Sequence, residues 1–100
     1  MAYKGYKVVW TNAALLDLEG IYNYITQEVS ETKALQVIDE IYIQASILTE
    51  FPKAFKKDIY YTKLEFRFLL VYNYKVYYKI SKSTVFIAQV KHAKQDLGDK

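Results

Sequence analysis

The chain predicts an α+β fold of order β-α-α-β-β-β, an antiparallel sheet covered by an antiparallel helical hairpin. Three observations predict it. Apolar residues recur every three or four positions from Leu15 to Leu48, then alternate from Leu64 to His92. The one proline, Pro52, stands between these two regimes. With 100 residues, 52% of them hydrophobic, the chain can build one core and not two. Residues 1–100 are therefore expected to form a single domain.

The elements follow in order. Tyr6–Thr11 is β-branched or aromatic and alternates, which predicts a strand. Thr11 or Asn12 can cap the next segment. Leu15, Leu18, Tyr22, Ile25 and Val29 then lie on one stripe, with Asp17, Glu19, Asn23 and Gln27 between them. That spacing predicts an amphipathic helix over 12–28. Gly20 inside it costs about 1 kcal/mol of helix propensity and marks a place where a neighbour would pack closely. Ser30 is the second expected cap, with Glu31 in the first turn. Leu35, Ile38, Ile41, Tyr42, Ala45 and Leu48 predict a helix over 31–50 that stops before Phe51-Pro52. A link this short makes the two helices an antiparallel pair.

Lys53–Asp58 is a polar, lysine-rich link. Strands are predicted at 64–71, 74–80 and 84–92, with turns at Tyr72-Asn73 and Ser81-Lys82-Ser83. The polar tail Ala93–Lys100 is expected to fray.

Composition excludes several classes of chemistry. No cysteine means no disulfide framework and no thiolate metal site, and one histidine means no multi-His site. No cofactor or metal is expected. No apolar run approaches the roughly 18 residues of a membrane span, and no signal peptide opens the chain, so the expected compartment is the cytoplasm. Charge is unevenly placed. Residues 1–50 hold three lysines against seven acids, a net −4. Residues 51–100 hold eleven basic residues against four acids, a net +7. Six of the eleven tyrosines lie in this basic half. Such a surface invites nucleic acid or an acidic protein.

The strand over 74–80 sends Tyr74, Val76, Tyr78 and Ile80 one way and Lys75, Tyr77, Lys79 and Ser81 the other. Arg67 from the preceding strand can add a guanidinium to the second set. Lys91, His92 and Lys94 arrive at the end of the last strand. Cations neutralise phosphate and tyrosine rings stack on unpaired bases, so Lys75, Tyr77, Lys79 and Lys91 are candidate RNA contacts. Lysine and tyrosine on an exposed sheet face are equally ordinary solvation and strand propensity. His92 alone titrates near neutrality unperturbed and could move protons, with Lys94 or Arg67 stabilising a phosphorane-like transition state. A histidine at a strand end also serves as a plain hydrogen-bonded residue. Asp17, Glu19, Asp39 and Glu40 sit on helices and read as outward, solvated charges.

Five strings resemble the RelE/ParE family of bacterial toxins from type II toxin–antitoxin pairs. They are Val8-Val9-Trp10-Thr11, Asp17-Leu18-Glu19-Gly20-Ile21-Tyr22-Asn23-Tyr24-Ile25, Leu48-Thr49-Glu50-Phe51-Pro52, Asn73-Tyr74-Lys75-Val76-Tyr77-Tyr78 and Val90-Lys91-His92-Ala93-Lys94-Gln95-Asp96. Each is weak alone; together, in order over about 6–97, they are fairly specific.

The resemblance implies a growth-arrest toxin neutralised by a cognate antitoxin. RelE-like members cleave mRNA on the ribosome without a metal, the 2′-OH attacking the neighbouring phosphate. ParE-like members share the fold and poison DNA gyrase. For a RelE-like nuclease the positions carried over as catalytic are Arg67, Lys75, His92 and Lys94. Two positions depart from that pattern. Leu69 stands where a second basic residue is expected, and Leu97-Gly98 where a terminal tyrosine often follows. The Asp-Leu-x-x-Ile-x-x-Tyr-Ile pattern is closer to ParE-like sequences. The chain is thus an endoribonuclease if RelE-like and not an enzyme if ParE-like. A different class, a non-catalytic RNA- or protein-binding module related to an inactive toxin, stays open. The antitoxin is expected to be acidic and aliphatic, to suit the surface it must cover.

Overall fold

The computed structural model describes residues 5–57 and 66–93. Its elements run β1 Lys7–Trp10, α1 Asn12–Glu28, α2 Glu31–Ala45, a 3-10 turn Ser46–Thr49, β2 Arg67–Val71, β3 Tyr74–Ser81 and β4 Thr84–His92. The predicted α+β fold and element order are those observed. The early part of the predicted 64–71 strand, Leu64 and Glu65, lies outside the described residues, as do Lys94 and the rest of the tail.

Both expected caps form. Thr11 is extended, and its hydroxyl oxygen accepts from the Ala14 N–H at 3.2 Å. The same hydroxyl donates to the Ile87 carbonyl at 2.8 Å, so the cap also ties the start of α1 to β4. The Ser30 hydroxyl accepts from the Lys33 N–H at 3.0 Å and starts α2. Across this corner the Tyr22 hydroxyl donates to Glu31 Oε2 at 2.6 Å. That bond to a carboxylate is the main reason the Tyr22 phenol is held above its ordinary value.

The second helix ends earlier than its pattern predicts. At Ser46 the chain tightens into the 3-10 turn. Ser46 Oγ donates to the Ile43 carbonyl at 2.6 Å, and Thr49 Oγ1 to the Ser46 carbonyl at 2.9 Å. These bonds to carbonyls three residues back favour the tighter winding just before Pro52.

The sheet has order β1-β4-β3-β2. β2/β3 and β3/β4 are antiparallel hairpin neighbours, while β1 runs parallel to β4 at the edge. The sheet is thus mostly antiparallel, with one parallel pair. Each hairpin turns through two residues, and the first of each is left-handed: Tyr72 at φ 54° and Lys82 at φ 56°. Between the pairs Tyr77↔Gln89 and Tyr78↔Ile87, β4 carries one extra residue, Ala88, as a bulge.

One face of the sheet receives the hairpin. Leu18, Ile21 and Ile25 of α1, Val37 and Ile41 of α2, and Leu48 meet Leu69, Val71, Val76, Tyr78, Val85, Ile87 and Val90 in one core. Among the described residues no neighbour packs closely on Gly20. A Cβ built there would meet none of the described residues within 4 Å, and neither Gly5 nor Gly20 has a positive φ.

Candidate functional site

The register decides which candidate residues can act together, because residues directly opposite one another share a face. Arg67 pairs with Tyr78, Leu69 with Val76 and Val71 with Tyr74. Arg67 therefore stands on the helix-side face and not beside Lys75 and Tyr77, contrary to expectation. The odd residues of β2 carry the core leucine and valine, and Arg67 is in phase with them. Its guanidinium turns to the link after the 3-10 turn, where Nη1 donates to the carbonyls of Phe55 at 2.7 Å and Lys53 at 3.3 Å. Tyr78 fastens the same link, its buried hydroxyl donating to the Pro52 carbonyl at 2.5 Å.

The opposite face carries Phe68 and Leu70 of β2 beside Tyr77 and Lys75 of β3. Tyr77 is not an exposed stacking platform: it is only 1% exposed, its ring tilted against Phe68 with centroids 5.9 Å apart. The alternation placed Tyr77 on the correct face but gave no sign that it is buried there. Lys75 and Lys91 lie directly opposite each other. Like charges so placed repel, and each has a different partner. The Lys75 ammonium sits 4.8 Å from the Phe68 ring centroid, and Lys91 Nζ lies 3.5 Å from Asp17 Oδ1 on α1. Lys79 is exposed beside Phe86. Lys75 also borders a hollow of about 630 Å³ with Lys56, Phe68 and Leu70.

His92 belongs to the helix side. It pairs with Tyr74, and the two rings meet edge-on with centroids 5.3 Å apart. Arg67 and His92 are thus matched to Tyr78 and Tyr74, four residues apart on β3, or about 13 Å along the strand. Arg67, Lys75 and His92 do not gather around one point. Lys94, the fourth candidate, lies outside the described residues.

A groove does form, between α1 and the ends of β3 and β4. It encloses about 560 Å³ and is lined by Leu16, Asp17, Gly20, Tyr24, Lys91 and His92 among others. Its origin is topological. β1 ends at Trp10, opposite Ile87, while β4 continues to His92. Beyond that point α1 replaces β1 as the neighbour of β4. Asp17 makes the replacement workable: its Oδ2 accepts from the Val90 N–H at 2.8 Å. The sequence suggested only a solvated charge at Asp17, because a lone helical acid carries no sign of the strand beside it. Tyr74 lines the same groove, and burial raises its phenol above the ordinary value, with the nearby Tyr24 adding to the shift.

Asp17→Ala is expected to cost about 1–2 kcal/mol, because it removes the acceptor of a part-buried backbone donor. Hydrogen exchange at the Val90 amide should accelerate in step with the loss. Asp17→Asn, which keeps an acceptor oxygen, should lose less. Unchanged exchange at Val90 in the alanine variant would contradict this role.

Similarity to known proteins now bears on the site. The family model described as the ParE toxin of type II toxin-antitoxin system, parDE, matches residues 8–97. The chain belongs to the ParE toxin family. It is accordingly a toxin of the type II toxin–antitoxin class. No curated protein matches the chain significantly. A solved chain of the chromosomal ParDE TA system from P. aeruginosa superposes with a TM-score of 0.78 and 17% sequence identity, over 90% of this chain and 98% of that one. At that identity the likeness shows the fold alone. Among the described residues no helix is long and apolar enough to cross a membrane.

Proposed function

We propose that this chain arrests growth by acting on DNA gyrase, and that an acidic cognate antitoxin holds it inactive in the cytoplasm. Membership of the ParE family supports the first part. The observation that carries the reading against mRNA cleavage is the position of Arg67. Metal-free cleavage of RNA needs several cationic side chains aimed at one phosphate. Arg67 instead donates to the carbonyls of Phe55 and Lys53, and Lys75 lies on the opposite face. The basic balance of residues 51–100, at +7, supports an acidic partner for neutralisation.

Among the described residues, His92 beside Tyr74, with Lys91 adjacent, is what a nuclease would have to draw on instead. One culture separates the two mechanisms. Controlled expression should produce double-strand breaks and a DNA-damage response while transcripts stay intact. Codon-associated mRNA ends that need ribosomes, reduced by His92→Ala, would replace the gyrase reading with cleavage. Salt-sensitive RNA binding without any growth defect would replace both with a non-catalytic binding module.

A further inference from the structure

The charges divide by layer. Among the described residues every acid lies on the two helices, except Glu50 just after the 3-10 turn, and Lys33 is the one cation on a helix. From Phe51 onward the described residues include no acid at all. The register gathers part of the positive charge on the sheet face away from the hairpin. Val8 and Trp10 pack against the core, so Lys7 turns to the other face. Lys7 lies opposite Thr84, and Thr84 opposite Ser81, which shares that face with Lys75 and Lys79. Lys56 of the link joins them at the hollow beside Lys75. Lys75 and Lys79 stand about 13 Å apart along β3, and β1 lies about 10 Å across the sheet from that strand. Lys7, Lys56 and Lys79 are exposed, and none of the three has a carboxylate partner among the described residues.

We infer that this face binds the phosphate backbone of duplex DNA, with Lys7, Lys56, Lys75 and Lys79 as the contacts. The inference goes beyond the gyrase reading and does not need it, because the face would bind DNA with or without an enzyme present. Three observations select a duplex backbone. A protein partner needs clustered apolar or aromatic anchors, and here the exposed apolar groups stand apart. Leu70 lies opposite Lys75 and Phe86 opposite Lys79, on different strands and about 13 Å apart along the sheet. Unpaired bases need open aromatic rings to stack on. Tyr77, in the middle of this face, is buried, and the Phe68 ring has the Lys75 ammonium 4.8 Å from its centroid. That leaves Phe86 alone among the described aromatics of the four strands on this face. What remains is an array of cations. A duplex carries one negative charge per about 1.7 Å of its axis, so scattered ammonium groups find phosphates without a set register. The acids of the helical layer also turn the chain sheet-first towards a polyanion.

The probe is a labelled duplex of arbitrary sequence, about two helical turns long, titrated with the full chain and read by fluorescence anisotropy. Four phosphate contacts should give a slope of about −3.6 in log K against log salt, so Kd should weaken about a hundredfold between roughly 50 and 200 mM NaCl. The triple variant Lys7→Gln, Lys56→Gln, Lys79→Gln changes only exposed side chains. It should melt within a few degrees of the parent, weaken Kd at least tenfold at low salt and bring the slope to about −1. Lys33→Gln, the same charge change made on α2, should leave the slope unchanged and Kd within twofold. A parent chain that does not bind the duplex at low salt overturns the inference. So does a triple variant that loses no more than Lys33→Gln. Tighter binding to one strand of the same sequence, or to RNA of that sequence, would assign the face to unpaired bases and overturn it as well. If the triple variant unfolds, Lys7→Gln and Lys79→Gln made singly carry the test, each expected to reduce the slope by about one. None of these results bears on the gyrase reading, which chromosome breaks in the expressing culture test separately.

Discussion

Arg67→Ala is expected to destabilise the chain by about 2–3 kcal/mol, enough to lower Tm by roughly 10–20 °C in a domain of this size. The guanidinium donates to two main-chain carbonyls, those of Phe55 and Lys53. Hydrogen bonds from a charged donor contribute about 1.5–3 kcal/mol. The part-buried Phe55 carbonyl would lose its Arg67 donor. Beside it, Phe68 N–H donates to the Lys56 carbonyl at 3.2 Å, so this link is also laced directly to β2. Losing Arg67 should therefore loosen the link first, and thermal or urea unfolding measures the cost. Arg67→Lys should fall between the parent and the alanine variant, since one ammonium cannot reproduce the planar fork of donors. The same variants bear on function. If Arg67 acts only by holding the link, toxicity lost in Arg67→Ala should return at a lower growth temperature, where enough of the variant is folded. A variant that is fully folded at that temperature yet inactive would give Arg67 a direct role at the target.

Most of the architecture was legible because each element carries a local signal. Residue type and position narrowed the first cap to Thr11 or Asn12 and named Ser30 as the second, and Thr11 and Ser30 are the residues that cap. Of the predicted stripe of α1, Leu18 and Ile25 are buried and Tyr22 half-buried, while Leu15 and Val29 are exposed and Ile21, outside that stripe, takes a core place. What could not be read is what depends on neighbours distant in sequence. Nothing in Val8-Val9-Trp10 says that the strand will lie parallel to β4 and stop opposite Ile87. Yet that stop creates the groove, and it turns Asp17 from a surface charge into the acceptor for Val90, 73 positions away. The candidate site suffered for the same reason. Residue types pointed to Arg67, Lys75 and His92, but their faces follow from register, which a sequence does not print. Tyr77 was assigned to the correct face, but its burial and its contact with Phe68 came only with the structure. Gly20 was the one signal visible from the start as an anomaly. The expected close neighbour is not among the described residues.

Tyr78 should make stability fall steeply between about pH 10 and pH 12. Its side chain is fully buried in the core, with the hydroxyl on the Pro52 carbonyl. Burial pushes its phenol up from 10.0 to about 12, against a smaller opposing pull from the Arg67 guanidinium. The fold therefore favours the neutral phenol. Its contribution is fully present below the unfolded pKa near 10 and is lost as pH rises through the folded value near 12. A displacement of that size corresponds to on the order of 2–3 kcal/mol across the window. The decisive quantity is the difference between the parent and Tyr78→Phe, in which every contribution common to the two chains cancels. At pH 7 the phenylalanine variant should be less stable by about 1 kcal/mol, the contribution of one buried hydrogen bond. As pH rises the parent alone must either ionise a buried phenol or unfold, so the gap should close near pH 11 and then reverse. Urea denaturation of both chains from pH 7 to 12 tests this directly. Parallel stability curves, with the parent ahead throughout, would mean that Tyr78 ionises in the folded chain without penalty and that its burial is not what sets its chemistry.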